Sequence, residues 1–244
     1  MTEMPFEATA YLPHLRELTA DFADVLHDAD ATAPVPCCED WTLADLGTHL
    51  GNVHRWAALI VKTGEVQNQF FEESPGVALP GWYAESAAIL LDALAGAEPE
   101  DPCWAFGGTA KIKGFWFRRQ VQETAVHLID AHRAAGGDRV LDPAVAADGV
   151  DEVLTAMLPR VTRWYSAPPL SAPLSLRATD TGDVWTLHPG EPPALGETVE
   201  PAAAAEATAQ ELDLLLWKRV PLETVRITGD ASVATGFLSA PMTP

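Results

Sequence analysis

The sequence is poor in positive charge. Only 15 lysines and arginines stand against 35 aspartates and glutamates, which gives a formal net charge of -20. Such a balance repels nucleic-acid phosphates and anionic membrane surfaces, so neither is an expected partner. The chain also lacks an apolar run of the roughly 18 to 20 residues that a membrane-spanning helix needs.

Cysteine is scarce as well. Cys37 and Cys38 are adjacent and Cys103 stands alone, which makes neither a paired disulfide framework nor a CxxC metal knuckle. The first ten residues have no basic start followed by an apolar run, so they do not resemble a signal peptide. We therefore expect a cytoplasmic protein. The cysteine pair could supply a nucleophile, but no base neighbours it in sequence, and a role lining a loop is preferred.

Hydrophobic residues make up 48% of the 244 positions, enough for a substantial core. The length allows one large domain or two modest ones, and two are predicted. In the first half, apolar residues recur at spacings of three and four, the pattern of amphipathic helices. Four helices are predicted there, over about Glu7–Ala29, Thr42–Ile60, Trp82–Leu94 and Phe115–Ala135.

The second half changes character to mixed helix and strand. Two short alternating runs flank a turn at 180–183 and predict a β-hairpin. The predicted elements are a helix from Asp148 to about Val161, strands Leu174–Ala178 and Val184–His188, an alanine-rich helix Pro201–Trp217 and a last strand Val225–Thr228. The fold class is therefore α+β, with domains at 1–142 and 143–244.

Chemistry concentrates on the fourth helix. Glu123 and His127 are four residues apart, so they project from the same side, and Asp130 continues that stripe. His49 lies at the edge of the apolar stripe of the second helix. Two imidazoles and one carboxylate suit a catalytic zinc with an open coordination position, and nickel, iron or manganese would also accept them. Taken singly, however, such a pair is commonly a solvated surface pair and such a histidine a core residue.

The remaining polar residues of these helices are expected elsewhere. His54 and His132 each stand five residues after a candidate ligand and are turned away from it, so both are predicted to lie on the surface. Arg118 and Gln122 are placed opposite the candidate stripe and would then face water. Periodicity alone does not decide which polar stripe of a helix is outside.

Two segments resemble a known family. The stretch from Cys38 through Trp41 to Leu50 resembles the second-helix signature of the mycothiol-dependent maleylpyruvate isomerase family, within the DinB superfamily. Residues 123–131 resemble that family's Glu-x-x-x-His-x-x-Asp-Ala motif. The stretches 214–219 and 228–230 are similar to the smaller, sterol-carrier-like α+β domain that follows the bundle in that family.

The resemblance implies an N-terminal DinB-like four-helix bundle that holds one divalent metal, usually zinc, through His49, Glu123 and His127. It also implies mycothiol, a low-molecular-weight thiol, as cosubstrate. The expected enzyme is thus a mycothiol-dependent isomerase or thiol S-transferase, which uses the thiolate on a small electrophilic substrate. A metal-dependent hydrolase using water and a non-catalytic small-ligand-binding protein stay open as alternatives.

Three further residues are predicted to take part. Asp130 and Arg219 are the candidate catalytic residues, and Arg226 is the candidate for binding the thiol or an anionic substrate. Asp130 is expected either to orient a ligand imidazole or to pair with Arg133 or Arg119. The sequence is compatible with a monomer or a homodimer, and no motif names the substrate.

Overall fold

The computed structural model describes residues 7–38, 40–66, 78–160 and 168–243. Within these, residues 7–105 and 110–139 form one compact unit, and residues 106–109 and 140–243 form a second. The first is helical and the second carries a mixed sheet with helices. The predicted α+β class is confirmed. The sequence placed the domain boundary between 142 and 143, whereas the division by contacts falls between Arg139 and Val140.

Four long helices make up the first unit, and they follow the four apolar patterns of the sequence. A short 3-10 turn, Ala8–Ala10, leads into the first of them. Apolar side chains of all four helices form its core, with Leu15, Phe22 and Leu50 among the fully buried ones. The helices are α1 (Tyr11–Asp28), α2 (Leu43–Thr63), α3 (Leu79–Ala95) and α4 (Gly114–Ala134).

The start of α2 is defined by a capping box, as the sequence indicates. The Thr42 hydroxyl accepts from the amide of Asp45 at 3.3 Å, and the Asp45 carboxylate accepts from the amide of Thr42 at 2.9 Å. The two bonds satisfy amides that would otherwise lack partners at the helix start. They fix where α2 begins and hence which face of it carries His49.

The second unit is built on a five-stranded sheet of order β3-β2-β1-β4-β5. Strand β1 pairs antiparallel with β2 and parallel with β4, and β4 pairs antiparallel with β5. Helix α5 (Pro143–Glu152) continues as one π-helical turn, Val153–Met157. The other elements are β1 (Leu174–Ala178), β2 (Val184–His188), β3 (Ala194–Leu195), β4 (Ala203–Ala207), α6 (Ala209–Leu216), a 3-10 turn (Leu222–Thr224), β5 (Arg226–Gly229) and α7 (Ala231–Leu238).

The predicted alanine-rich helix over 201–217 is wrong in its first half. Residues 203–207 form strand β4, whose Ala203, Ala204 and Ala205 are buried between β1 and β5. Alanine has a high helix propensity, but pairing on both edges of this strand outweighs it. The helix begins only at Ala209, after a capping box between Thr208 and Glu211.

The helix predicted from Asp148 begins earlier than expected. Asp142 caps it, because its side chain accepts from the amide of Ala144 at 2.8 Å, and Pro143 occupies the first turn. Proline is well suited to that position, since its missing amide proton has no partner there anyway. The predicted end, near Val161, lies outside the described residues.

Among the helices of the described residues, none is both long enough and apolar enough to cross a membrane.

Candidate metal centre

The three predicted metal ligands lie together between α2 and α4. The Nε2 atom of His49 is 3.7 Å from the Oε1 atom of Glu123, and the Nε2 atom of His127 is 3.5 Å from that same oxygen. All three donor atoms lie within 4.8 Å of one another. The rings of His49 and His127 meet edge to face, with centroids 5.3 Å apart. Two imidazole nitrogens and a carboxylate oxygen therefore converge on one point, a donor set that fits a divalent cation.

The burial of this cluster argues against a solvated surface pair. The side chain of Glu123 is 15% exposed and that of His127 is 9% exposed, whereas His49 retains 28%. Trp41 packs against His49, with ring centroids 4.9 Å apart. The cluster is thus open to solvent mainly on the side of His49.

Charge within the cluster is balanced by its own neighbours. Burial raises the pKa of Glu123, but the Arg119 guanidinium and the bonds to His127 and His49 outweigh it and hold that pKa well below its usual range. Burial also lowers the pKa of His127, yet its bonds to Asp130 and Glu123 raise it to about 9. Glu123 is therefore ionised and His127 protonated near neutral pH. A cation that binds here must replace the proton of His127, because imidazole ligates in its neutral form.

Asp130 lies behind His127 and is fully buried. The Nδ1 atom of His127 donates to its Oδ2 atom at 3.1 Å. The Sγ atom of Cys37 donates to its other oxygen at 2.9 Å. One buried carboxylate thus joins a candidate ligand to the cysteine pair, a contact between residues 93 positions apart that the sequence did not reveal.

The arginines considered as partners of Asp130 are engaged elsewhere. Arg119 forms its ion pair with Glu123, one helical turn along α4. The Nε atom of Arg133 lies 3.7 Å from the Oδ1 atom of Asp138, a residue beyond the end of α4. Of the two arrangements that the sequence left open, the contact of Asp130 with the His127 imidazole is present.

The prediction that His54 lies on the surface is wrong. Its side chain is fully buried, its Nδ1 atom donates to Gln120 at 3.0 Å, and its Nε2 atom lies 3.3 Å from the Tyr83 hydroxyl. Burial lowers the pKa of His54 to about 4, so it is neutral at physiological pH. His132 is half-buried and bonds to Asp21 at 2.9 Å.

Arg118 and Gln122 are buried too, although both were predicted to face water. They are 6% and 1% exposed. From Gly114 to Ala131, every residue of α4 other than Glu123 is buried. The helix is enclosed on all sides, which a helical period cannot reveal, because periodicity compares the faces of one helix and says nothing of its neighbours.

An aromatic cluster that the sequence analysis missed lies along the same helix faces. Trp116 contacts Trp56 and Trp104 with ring centroids at 5.3 and 6.0 Å, and its indole nitrogen donates to the Trp104 carbonyl at 2.8 Å. A signal was present in the spacing. Trp56 follows His49 by seven residues and Trp116 precedes Glu123 by seven, and seven residues are almost two full helical turns.

Arg219 and Arg226 belong to the second unit. Arg226 forms an ion pair with Glu206 on the neighbouring strand β4. The guanidinium of Arg219 donates to the Trp217 carbonyl at 2.8 Å and lies 5.9 Å from the centroid of the Trp217 ring. Their roles toward a substrate or thiol stay predictions.

Comparison with known proteins finds two family models that cover most of the chain. The model described as the mycothiol maleylpyruvate isomerase N-terminal domain matches residues 12–132. The model of the C-terminal domain of the same isomerase matches residues 144–236. A comparison with curated proteins finds no significant match.

Two solved structures share the fold over the full chain. One is the crystal structure of the mycothiol-dependent maleylpyruvate isomerase, with a TM-score of 0.65 and 13% sequence identity. The other is a histidine-to-alanine mutant of that isomerase, with a TM-score of 0.64 and 13% identity. Each match covers 100% of this chain and 99% of the other.

Proposed function

The chain belongs to the mycothiol-dependent maleylpyruvate isomerase family, and on that premise we propose that it is a divalent-metal-dependent enzyme with a low-molecular-weight thiol, mycothiol, as cosubstrate. One observation carries the proposal: the donor atoms of His49, Glu123 and His127 lie within 4.8 Å of one another. Zinc is the metal that this donor set suits best, because three protein ligands leave a position for the thiol.

A divalent cation in this site would supply positive charge that favours the thiolate form of a bound thiol near neutral pH. The protein's own residues prepare for it. Arg119 keeps Glu123 ionised, and so the site offers an anionic oxygen at neutral pH. Asp130 accepts from the Nδ1 atom of His127, which leaves the Nε2 atom directed toward Glu123. A carboxylate placed behind a histidine in this way fixes its tautomer and ring orientation.

The reaction expected of a thiolate is addition to an electrophilic carbon. When the sulfur adds to a carbon–carbon double bond conjugated with a carbonyl, the bond between the two carbons becomes single and can rotate. Expulsion of the same thiolate restores the double bond, so the net result is cis–trans isomerisation with the thiol unchanged. If the carbon–sulfur bond persists and the other carbon of the former double bond, next to the carbonyl, takes up a proton, the result is S-transfer.

Metal and thiol binding test the site. We expect purified protein to hold at least one zinc per chain, bound at His49, Glu123 and His127, and to bind mycothiol in calorimetric titration. Glu123→Gln removes the shared anionic donor and is expected to lower zinc affinity by more than about 100-fold and to abolish thiol binding. His132→Gln is the matched control, because His132 lies on the same helix but bonds to Asp21, and it should bind both like the wild type.

Three results would overturn the proposal. The first is wild-type zinc and thiol binding in Glu123→Gln, and the second is metal-loaded wild-type protein that does not bind mycothiol. The third is turnover of a small substrate at the same rate with and without added thiol, which would support the hydrolase instead. Thiol binding together with thiol-dependent turnover would exclude the non-catalytic binding protein.

A further inference from the structure

A second group of potential metal ligands lies on the other side of Asp130. It consists of Cys37, Cys38 and Asp130, whose donor atoms all lie within 4.8 Å of one another. The Cys37 thiol donates to the Oδ1 atom of Asp130 at 2.9 Å, while His127 occupies the Oδ2 atom. The carboxylate is fully buried, and both cysteines are half-buried. A small ion can therefore reach the sulfur atoms from solvent.

The loop that carries the cysteines is held by its own backbone. The amide of Val35 donates to the Trp41 carbonyl at 2.9 Å, and the amide of Trp41 donates to the Cys38 carbonyl at 3.1 Å. Val35 is buried, which anchors the loop to the helices. These bonds close a small loop around the two cysteines and keep both thiols beside Asp130.

The third cysteine, Cys103, is a buried thiol that serves as a comparison for the pair. Cys103 is 4% exposed, and its Sγ atom lies 3.6 Å from the Ile60 carbonyl. Burial raises its pKa, so the thiol form is favoured. It belongs to neither group of potential ligands among the described residues. The pair at 37 and 38 differs from it in having a second sulfur and a carboxylate at hand.

We propose that Cys37, Cys38 and Asp130 form a second cation site, which takes a thiophilic divalent cation such as Zn²⁺ or Cd²⁺. Thiolate sulfur selects soft cations over Mg²⁺ or Ca²⁺, which prefer oxygen ligands. Two sulfur atoms on one tetrahedral zinc lie about 3.8 Å apart, given Zn–S bonds of about 2.3 Å. Small rotations of the two cysteine side chains therefore suffice to reach that geometry. On binding, the two thiols release their protons to solvent.

The site goes beyond the proposed function because none of its sulfur ligands belongs to the first site. The two sites share only Asp130, one oxygen of which faces each of them. Glu123→Gln removes a ligand of the first site alone. Cadmium binding to the cysteines should therefore survive that substitution, and this distinguishes failure of one proposal from failure of the other.

Cadmium titration of full-length protein from which bound metal has been removed by a chelator tests the site, read by the near-ultraviolet absorption that cadmium–thiolate bonds produce. We expect one Cd²⁺ per chain to generate the band in the wild type and in Glu123→Gln. Cys37→Ser and Cys38→Ser should each weaken cadmium binding by at least about tenfold. Cys103→Ser is the matched control and should titrate like the wild type.

A second measurement needs no substitution. Modification of the thiols by a disulfide reagent in wild-type protein should slow at least about tenfold when Cd²⁺ is present, because a bound thiolate is protected. The proposal is overturned if Cys37→Ser and Cys38→Ser titrate like the wild type, or if the cation leaves the rate of thiol modification unchanged. Cadmium binding to the wild type without a thiolate band would also overturn it.

Discussion

Where α2 and α4 face each other, they carry two clusters of different chemistry, called here the charged end and the aromatic end. His49 lies opposite Glu123 at one end, and Trp56 lies opposite Trp116 at the other. Residue numbers rise along α2 while those of their partners fall along α4, so the helices are antiparallel. The ends are seven residues apart on each helix, or about 10 Å at 1.5 Å per residue. Charge dominates the first end and aromatic volume the second.

The difference indicates which property stabilises each end. At the charged end, the mostly buried Glu123 pairs with the buried Arg119, and the cost of removing both from water offsets much of their attraction. This end therefore depends on keeping its charges paired. At the aromatic end, Trp116 is fully buried against two other indoles, and stability there depends on filling volume. Substitutions at the two ends should fail for different reasons.

Loss of volume at the aromatic end should have the largest effect on stability. We expect Trp116→Ala to lower the free energy of unfolding by about 4 kcal/mol, since it leaves a large cavity and removes the hydrogen bond to Trp104. His49→Gln, at the charged end of the same helix pair, should lower it by less than about 1 kcal/mol, because this side chain is partly exposed. Urea-induced unfolding of metal-free wild type and both variants measures the difference, because a metal bound at His49 would add its own stabilisation. Equal losses would contradict the division into a volume-dependent and a charge-dependent end.

Loss of one charge at the charged end should have the second largest effect on the free energy of unfolding. Arg119→Met keeps most of the volume but removes the cation nearest to the mostly buried Glu123, and we expect it to cost about 3 kcal/mol at neutral pH. Lys113→Met is the matched control on the same segment, because its partner Asp101 is 49% exposed and such a pair contributes less than about 1 kcal/mol. Urea-induced unfolding at pH 7 measures both. If Arg119→Met costs no more than Lys113→Met, the charges at this end need no pairing.

Local sequence signals predicted those elements whose cause is local. The capping box of Thr42 and Asp45 fixed the start of α2, and the alternating strands Leu174–Ala178 and Val184–His188 occur with the predicted bounds. Strand β4 was missed because its cause is not local. Its alanines predict a helix, and only the pairing of β1 and β5 with its two edges makes Ala203–Ala207 a strand.

The candidate site divides in the same way. The i,i+4 spacing predicted that Glu123 and His127 project together, and the structure places them so. The position of His49 beside them depends on how α2 packs on α4, and the sequence suggested it mainly through the family resemblance. The contact between Cys37 and Asp130 joins a loop to a buried helix, and neither periodicity nor spacing carries information about it.

His54 and Gln120 lie between the charged end and the aromatic end. The change in the free energy of unfolding as the pH falls should show whether His54 is charged or neutral there. Burial lowers the pKa of His54 to about 4, against 6.5 for an exposed histidine, although the bond to Gln120 partly opposes the shift. The folded protein thus binds fewer protons here than the unfolded chain between those values. The stabilisation is complete above pH 6.5 and is lost as the pH falls toward 4, by about 2 kcal/mol between pH 7 and pH 5.

His54→Gln removes the titrating group while keeping a polar side chain. Urea-induced unfolding at pH 7 and pH 5 should show that this variant loses about 2 kcal/mol less than the wild type over that interval. The subtraction cancels the titration of every other group that the two proteins share. Equal losses would mean that the folded protein and the unfolded chain protonate His54 alike, so that it becomes charged between pH 7 and pH 5 and belongs to the charged end. The expected difference would assign it at neutral pH to the volume-dependent end, where a neutral imidazole fills space between α2 and α4.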